Sequence, residues 1–247
     1  MSLDGECRVR FIKLAMRRRC RLNVSGQENS VNWRNALSVD STVITISGHR
    51  NVVEFDSGAQ VNGLTVTVIG DDNRIMVGSS RVESSAILLA GASNTVSLGD
   101  GTAVRALSVV CEDAGNVVAV GNGSEIAGYT ELAALEGTTI QIGERCLFSG
   151  GLHFRTSDSH SITDLEGRRI NPPKDIKIGD HVWVGARVSV MKGVRIADSC
   201  VIGAEAVVTK ACDTPHSVIA GNPARVIRSG VDWIAERIPV VAADSEK

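Results

Sequence analysis

The chain has 247 residues, of which 43% are apolar and 22% are charged, and its formal net charge is −2 at pH 7. A charge balance this close to neutral gives no general reason to expect binding to nucleic acid. Aromatic residues make up only 3% of the chain, so its core must be built from many small contacts of Val, Ile, Leu and Ala, which favours a stacked, solenoid-like architecture.

Residues 1–22 form the first predicted unit, a basic segment that contains VRFIKLAMRRRCRL at 9–22. We interpret it as a solvated segment that caps one end of the core, and the alternative is contact with a membrane surface or a polyanion. Lys13 and the run Arg17 to Arg19 interrupt its apolar residues, so a signal peptide is not expected. No window of the sequence approaches the length of a transmembrane segment.

Residues 23–148 are predicted to form coils of about 22 residues. An Asn recurs along this region, apolar residues alternate after each copy, and Thr138 takes the same slot in a sixth copy. The recurring residues are Asn29, Asn51, Asn73, Asn94 and Asn116. This period is typical of one supersecondary unit that stacks on its neighbours, and the alternation indicates strands. We therefore expect a ladder of Asn side chains from coil to coil, which is a structural role rather than a catalytic one.

Residues 149–174 follow no period. The segment GGLHFRTSDSHSITDLEGRRINPPKD at 150–175 is rich in Gly, Ser and Asp and contains a Pro pair, which favours loop geometry. A long excursion from a regular solenoid is typical of a functional loop. His160 lies on it, and Asp158 precedes it by two residues.

Residues 175–228 repeat with a period of six. Branched apolar residues head successive hexads, at Ile178, Val184, Val190, Ile196, Ile202 and Val208. Small or apolar residues take the fifth position, at Val182, Val188, Val194, Cys200 and Ala206. Such hexads predict a triangular prism of short parallel strands with three hexads per turn and a narrow core. The remaining residues, 229–247, are predicted to form a short C-terminal helix and a tail.

The six cysteines show neither a CxxC pair nor the spacing of metal ligands. They are Cys7, Cys20, Cys111, Cys146, Cys200 and Cys212. We therefore expect reduced structural thiols, a cytoplasmic protein and no bound metal.

Two segments together resemble a known family. They are IGDHVWVGARVSVMKGVRIADSCVIGAEAVVTK at 178–210 and VIAGNPARVIR at 218–228. They look like the hexapeptide-repeat, left-handed β-helix acyltransferases that use acetyl-CoA, in particular those that O-acetylate capsular polysaccharides, exopolysaccharides and other glycans. The resemblance covers about residues 145–230. It implies an all-β, left-handed parallel β-helix and a homotrimer whose acyl-CoA lies in a groove between neighbouring prisms.

The resemblance also implies roles for single residues. The general base would be His160 of SDSHSI, and Trp183 of HVWVG would lie beside the sugar acceptor and the thioester. The residues that would line the pantetheine arm and the nucleotide phosphates are Gly185, Ala204, Lys210, Asn222 and Arg225. The chain departs from the family pattern at RIADSC (195–200) and ACDTPHSV (211–218).

The chemistry of the residues agrees with these roles. Acyl transfer from a thioester to an alcohol needs removal of the hydroxyl proton, donors for the oxyanion and alignment of the reactants. A neutral imidazole suits the first task. Either Asp158 or Asp164 would accept from its other ring nitrogen, and the sequence does not choose between them. Trp183 has a core or subunit-interface role as its alternative.

Other interpretations stay open at this stage. Lys210 and Arg225 are alternatively ordinary surface charges. The same prism occurs in zinc carbonic anhydrases, in which three histidines across a subunit boundary hold the metal, and His153, His160 and His181 would supply the three imidazoles. A non-catalytic scaffold built on the Asn ladder is a third class of function. Nothing in the first 145 residues identifies the acceptor sugar.

Overall fold

A computed structural model of the chain describes residues 2–4, 8–10, 17–33 and 36–239. Its strands wind around three sheets, which we call faces 1, 2 and 3, and up to β28 every third strand joins the same face. The strands pair in parallel, except for β29 and β30 at the C-terminal end, which are antiparallel. No helix in the described part of the chain has the length and apolar character needed to cross a membrane.

Face 1 consists of β1 (Ser2–Asp4), β4 (Arg21–Ser25), β7 (Val43–Ser47), β10 (Thr65–Ile69), β13 (Ala86–Ala90), β16 (Leu107–Glu112), β19 (Thr130–Leu135), β22 (Leu152–Arg155), β25 (Ser189–Val190) and β28 (Val207–Val208). Face 2 consists of β2 (Arg8–Arg10), β5 (Ser30–Asn32), β8 (Val52–Phe55), β11 (Arg74–Val77), β14 (Thr95–Leu98), β17 (Val117–Val120), β20 (Thr139–Ile142), β23 (Ile176–Ile178) and β26 (Arg195–Ile196). Face 3 consists of β3 (Arg17–Arg18), β6 (Ser38–Asp40), β9 (Gln60–Asn62), β12 (Arg81–Glu83), β15 (Ala103–Arg105), β18 (Glu125–Ile126), β21 (Leu147–Phe148), β24 (Trp183–Val184), β27 (Val201–Ile202), β29 (Ser217–Ala220) and β30 (Arg225–Ser229).

The core runs along the inside of the three faces. In most strands from β4 to β29 alternate residues point inward, as in β10, where Val66 and Val68 are buried between exposed or half-buried neighbours. This alternation is the period of two that a strand imposes on its side chains. The few aromatic residues of the core stack in pairs, for example Phe148 on Phe154 with ring centroids 5.5 Å apart.

The predicted Asn ladder is confirmed. Asn51 Nδ2 donates to Asn29 Oδ1 at 3.0 Å, and Asn73 Nδ2 donates to Asn51 Oδ1 at 3.0 Å. Thr138 takes the next slot, since its backbone N–H donates to Asn116 Oδ1 at 3.0 Å. The Asn residues thus satisfy polar backbone groups at the inner side of the coils, which would otherwise be buried without partners.

Glycines precede the ladder because the coils approach closely there. Gly70 has a φ of +124°, and a Cβ at this position would lie 2.1 Å from the carbonyl oxygen of Gly91 in the next coil. Gly48 and Gly91 occupy the equivalent corners with φ of +143° and +140°. A side chain is thus excluded by both the backbone conformation and the space.

The predicted hexad register is also confirmed. The five residues at the fifth position, including Cys200, are 0% exposed, and the hexad heads, such as Ile202, point into the same core. Coils in this region advance by 18 residues, since Ile178 pairs with Ile196. Three hexads therefore make one turn, one on each face.

The ends of the chain differ from the sequence interpretation. The prediction of a helix is wrong for 229–239, where the chain leaves β30 and continues without helical structure; residues 240–247 lie outside the described residues. Trp233 instead stacks on His181, a long-range contact that sequence periodicity does not report. In the basic segment, the described backbone pairs as the first strand of each face, and Cys7 lies outside the described residues.

Candidate active site

The loop that carries His160 leaves the prism at the edge between faces 1 and 2. The predicted excursion began at 149, but residues 152–155 still form β22, so the loop spans 156–175. It is a hairpin in which the N–H of Ile170 donates to the carbonyl of Ile162 at 2.8 Å. We call residues 156–162 its outgoing limb and residues 169–175 its returning limb.

Asp164 stabilises the tip of this hairpin. Its Oδ1 accepts from the N–H groups of Glu166 and Arg168 at 3.1 and 2.9 Å, and its Oδ2 pairs with Arg168 Nε at 2.8 Å. These contacts, above all the backbone hydrogen bond of Arg168, lower the pKa of Asp164. The carboxylate is therefore occupied at the tip and does not contact the imidazole of His160.

Glu136 ties the two limbs together at the base of the loop. It lies on the coil below and accepts hydrogen bonds from Ser157 on the outgoing limb and from Arg169 on the returning limb, whose Nη2 lies 2.9 Å from Glu136 Oε1. The hydrogen bond from Arg169, followed by that from Ser157, lowers the pKa of Glu136 to about 2. The carboxylate stays ionised at neutral pH, and the base of the loop stays closed.

Asp158 forms a second tie. Its Oδ2 pairs with Lys192 Nζ and accepts from Asn171 Nδ2 at 2.7 Å. The hydrogen bond from Lys192 is the main reason that the pKa of Asp158 is lowered. Within the described residues neither carboxylate hydrogen-bonds to the ring of His160: Asp158 binds Lys192 and Asn171, and Asp164 binds the tip of the hairpin.

His160 itself is exposed, while its backbone is anchored. Asn171 Nδ2 donates to the carbonyl oxygen of His160 at 2.8 Å. The preceding residue, Ser159, has a φ of +61°, and Arg155 donates to its hydroxyl at 3.2 Å. The loop thus presents an accessible imidazole on a fixed main chain, which suits a base that must meet a substrate from solution.

Gly185 and Ala204 are neighbours along the edge between faces 3 and 1. A Cβ at Gly185 would lie 2.6 Å from the backbone N of Ala204, so any side chain at this position would collide with the backbone of the next coil. The turn that contains Asn222 lies against β28, since Val207 N donates to the carbonyl of Gly221 at 3.0 Å. Three of the residues assigned to the acyl-CoA site therefore lie towards one edge of the prism.

The two assigned cations are on different sides. Lys210 follows β28 at the edge between faces 1 and 2, whereas Arg225 opens β30 on face 3 and donates to the carbonyl of Ala224 at 2.7 Å. Both side chains are exposed. Within a single chain, Lys210 and Arg225 therefore do not lie along the same edge of the prism.

Trp183 lies on face 3 and is 40% exposed, beside a second tryptophan that the sequence interpretation missed. Trp233 lies 6.1 Å from Trp183 between ring centroids and stacks on His181 at 4.3 Å. Its Nε1 donates to the carbonyl of His181 at 2.8 Å. Neither repeat extends to residue 233, so no pattern indicated this contact.

The three histidines considered for a zinc site lie in three different parts of the folded chain. His153 points outward from face 1, edge-on to Tyr129 at 6.0 Å, and His160 is on the loop. His181 is at the edge between faces 2 and 3, where its Nε2 lies 3.1 Å from the carbonyl of Trp233. Within the described residues, no group of three or more His, Cys, Asp or Glu side chains is arranged to hold a metal ion.

Known proteins match both the repeat and the fold. The family described as bacterial transferase hexapeptide (six repeats) matches residues 175–210. The polysialic acid O-acetyltransferase of Neisseria meningitidis is 45% identical over 56 residues, which are 22% of this chain and 26% of that protein. The polysialic acid O-acetyltransferase of Escherichia coli O1:K1 / APEC is 42% identical over 95 residues, which are 38% and 31% of the two chains. The matches thus span less than a third of these curated relatives.

The structural match is more extensive. The crystal structure of the polysialic acid O-acetyltransferase OatWY superposes with a TM-score of 0.74 at 27% identity, and the match covers 92% of this chain and 96% of that one. The predicted all-β fold, a left-handed parallel β-helix, is thereby confirmed. The chain is similar to polysialic acid O-acetyltransferases and contains the hexapeptide repeat of bacterial transferases.

Proposed function

We propose that this protein transfers an acetyl group from acetyl-CoA to a hydroxyl group of a sugar in a capsular or other surface polysaccharide, with His160 as the general base. The observation that carries the proposal is the likeness to OatWY over almost the whole of both chains. OatWY and the two matched sequences are all named polysialic acid O-acetyltransferases, so polysialic acid is the first acceptor to test.

The proposed reaction starts at His160. Its neutral imidazole takes the proton of the acceptor hydroxyl while the oxygen attacks the thioester carbonyl. The tetrahedral intermediate then collapses, the carbon–sulfur bond breaks, and the imidazolium returns the proton to the CoA thiolate. Exposure of His160 on a loop supports this role, because a polysaccharide is too large to enter a closed pocket.

We further propose a homotrimer with each site shared between two subunits. The loop of His160 leaves the edge between faces 1 and 2, whereas Gly185 and Ala204 lie on the edge between faces 3 and 1. Face 1 separates these two edges within one chain. Closed three-fold packing would bring the first edge of one prism against the second edge of its neighbour, which supports a shared site.

The donor would lie along the second edge. Gly185 and Ala204 leave room for the pantetheine arm, and the turn of Asn222 follows them towards the C-terminal end. Lys210 and Arg225 would hold the phosphates, and because they lie on different sides of one prism, a shared groove would take them from two subunits. Trp183, with Trp233 beside it, would contact the acceptor or the thioester.

The proposed location is the cytoplasm. The described cysteines are free thiols, which fits a reducing compartment. The proposed reaction needs neither a metal ion nor nucleic acid, since the base, the donor and the acceptor supply all of the atoms that move.

Release of CoA thiol, followed with a thiol reagent, tests the function directly. Purified protein with acetyl-CoA should release thiol with polysialic acid, and less with a neutral polysaccharide or with no acceptor. Alkaline hydroxylamine should remove the transferred acetyl group, as expected for an ester. Thiol release that does not depend on any surface polysaccharide, or an acetyl group that resists hydroxylamine, would contradict the proposal.

A further inference from the structure

Asn171 connects the two limbs of the His160 loop. It is 8% exposed and lies on the returning limb, directly before the Pro172–Pro173 pair. Its Nδ2 donates to Asp158 Oδ2 at 2.7 Å and to the carbonyl of His160 at 2.8 Å. Its Oδ1 accepts from the N–H of Ile162 at 2.7 Å. One carboxamide thus contacts the outgoing limb before, at and after His160.

All hydrogen-bonding positions of this carboxamide are used. A carboxamide offers two donors and an acceptor oxygen with two lone pairs. Both Nδ2 protons are donated, and Oδ1 also accepts from Arg169 Nε at 3.2 Å. Neither a carboxylate nor an apolar side chain of the same size reproduces this set of contacts.

Asn171 is itself held in place from the prism. Lys192, which follows β25, donates to the backbone carbonyl of Asn171 at 3.3 Å and pairs with Asp158. Its side chain is 20% exposed. The ammonium therefore fixes one point on each limb and relates both limbs to the rigid coils.

The geometry points to Asn171 as a positioning residue, which sets the main chain at His160 so that the imidazole meets the acceptor hydroxyl. This inference rests on the proposed function, in which His160 is the base. Other ties of the loop act elsewhere: Glu136 binds the base, and Asp164 shapes the tip. Among the described residues, Asn171 is the one whose side chain hydrogen-bonds to His160 itself.

The size of the effect follows from the geometry of proton transfer. A displacement of about 1 Å in a reacting group costs on the order of 10²-fold in rate. Loss of the carboxamide leaves the Glu136 tie in place, so the loop should stay attached while His160 samples other positions. We therefore expect a loss of kcat without a loss of donor binding.

The test compares Asn171→Asp with the parent enzyme in the thiol-release assay. The replacement has the same shape, but it cannot donate to the His160 carbonyl, and it sets a negative charge against Asp158. We expect kcat to fall by about 10- to 100-fold, while KM for acetyl-CoA changes less than twofold. Glu166→Gln at the exposed tip is the matched control and should keep parent activity.

Two further variants separate positioning from a structural role. In the His160→Ala background, Asn171→Asp should lower the residual rate less than threefold, because its effect passes through the imidazole. The double variant Asp158→Asn, Asn171→Asp restores a hydrogen bond between the limbs but not the one to His160. It should recover part of the melting temperature that Asn171→Asp loses, but not all of it because the Lys192–Asp158 ion pair is absent, while kcat stays low.

Three results would overturn the inference. The first is a kcat within threefold of the parent for both Asn171→Asp and Asn171→Ala. The second is a loss of rate from Asn171→Asp that is equally large in the His160→Ala background. The third is recovery of kcat when Asp158→Asn is combined with Asn171→Asp. Parent activity in His160→Ala alone would instead remove the base assignment of the proposed function, and the inference would fall with it.

Discussion

His160 combines an exposed ring with an anchored main chain, and this combination decides what its replacement should do. His160→Ala should lower kcat by about 10²- to 10⁴-fold, the usual contribution of a general base, because no other group takes the hydroxyl proton. The melting temperature and acetyl-CoA binding should change little, since the ring has no hydrogen-bond partner among the described residues. Steady-state kinetics on a verified acceptor measure this effect.

His49→Ala is the matched control for this variant. His49 is also exposed, but it lies in an early coil, where its Nδ1 accepts from the N–H of Gln27 at 3.1 Å. Its kinetics should equal those of the parent. A rate for His160→Ala within threefold of the parent would return His153 or His181 to consideration as the base.

The lowered pKa of Glu136 determines the pH range in which acid should loosen the His160 loop. Its pKa in the folded protein, about 2, is below the ordinary value of 4.5, so its ties to Ser157 and Arg169 contribute fully above pH 4.5. That contribution is lost as the pH falls from 4.5 towards 2. Protection of the Ile162 amide from hydrogen exchange, corrected for the intrinsic rate, should therefore stay constant from pH 7 to 5 and decline below 4.5.

Glu136→Gln tests the origin of this window. The neutral amide cannot titrate, so the decline of Ile162 protection should begin only below pH 3.8, where Asp158, which also binds Asn171, loses its charge, and protection at neutral pH should be lower. Glu166→Gln at the loop tip should leave the pH profile of the parent unchanged. An identical profile in Glu136→Gln and the parent would show that another carboxylate controls the loop.

At the scale of the repeating element, the Asn ladder should be a main source of stability. Asn73→Ala removes the side-chain contacts to Asn51 Oδ1 and to the Gly91 carbonyl, and it leaves the N–H of Asn94 without its acceptor. Buried polar groups without partners cost about 1–3 kcal/mol each. The free energy of unfolding, measured by urea denaturation, should therefore fall by about 2–4 kcal/mol.

Asn62 provides the control for this measurement. It is an exposed Asn on β9, in the same stack but outside the ladder, and Asn62→Ala should change the free energy of unfolding by less than about 0.5 kcal/mol. Equal effects of the two substitutions would mean that the ladder adds no stability beyond that of the surface Asn residues.

At the scale of the whole molecule, the positions of the two edges predict complementation between subunits. His160→Ala and Gly185→Trp should each have little activity alone, the first because the base is lost and the second because the indole occupies the edge proposed for the pantetheine arm. When the two chains are co-expressed in a trimer, one type of interface pairs an intact loop with an intact edge. Activity should return in the mixed assembly, and light scattering should give three chains per particle.

Two outcomes would contradict the shared site. One is a particle with the mass of a single chain at micromolar concentration while the parent remains active. The other is a mixed assembly, purified with a different tag on each chain, that has no activity above its components.

Most of the fold follows from the sequence because it repeats. A period of about 22 residues with an Asn at each copy, then a period of six with branched heads, specifies which side chains point inward, since each coil must match the next one. The same local rule explains why Cys200 and Ala206 could be placed in the core without a structure. The repeat does not extend to residues 229–239, and there the predicted helix was wrong.

Some residues of the candidate site could likewise be predicted from the sequence, and others could not. His160 could be selected from the sequence, because it lies in a polar loop that interrupts two regular repeats. The partners of Asp158 and the role of Asn171 could not, since they depend on where two limbs of an irregular loop meet Lys192, which is distant in sequence. Trp233 reaches His181 for a similar reason. The contacts within the repeats follow from a pattern that recurs in every coil, so the sequence predicts them. The contacts of Asp158, Asn171 and Trp233 occur once each and form only when distant parts of the chain meet in the folded protein.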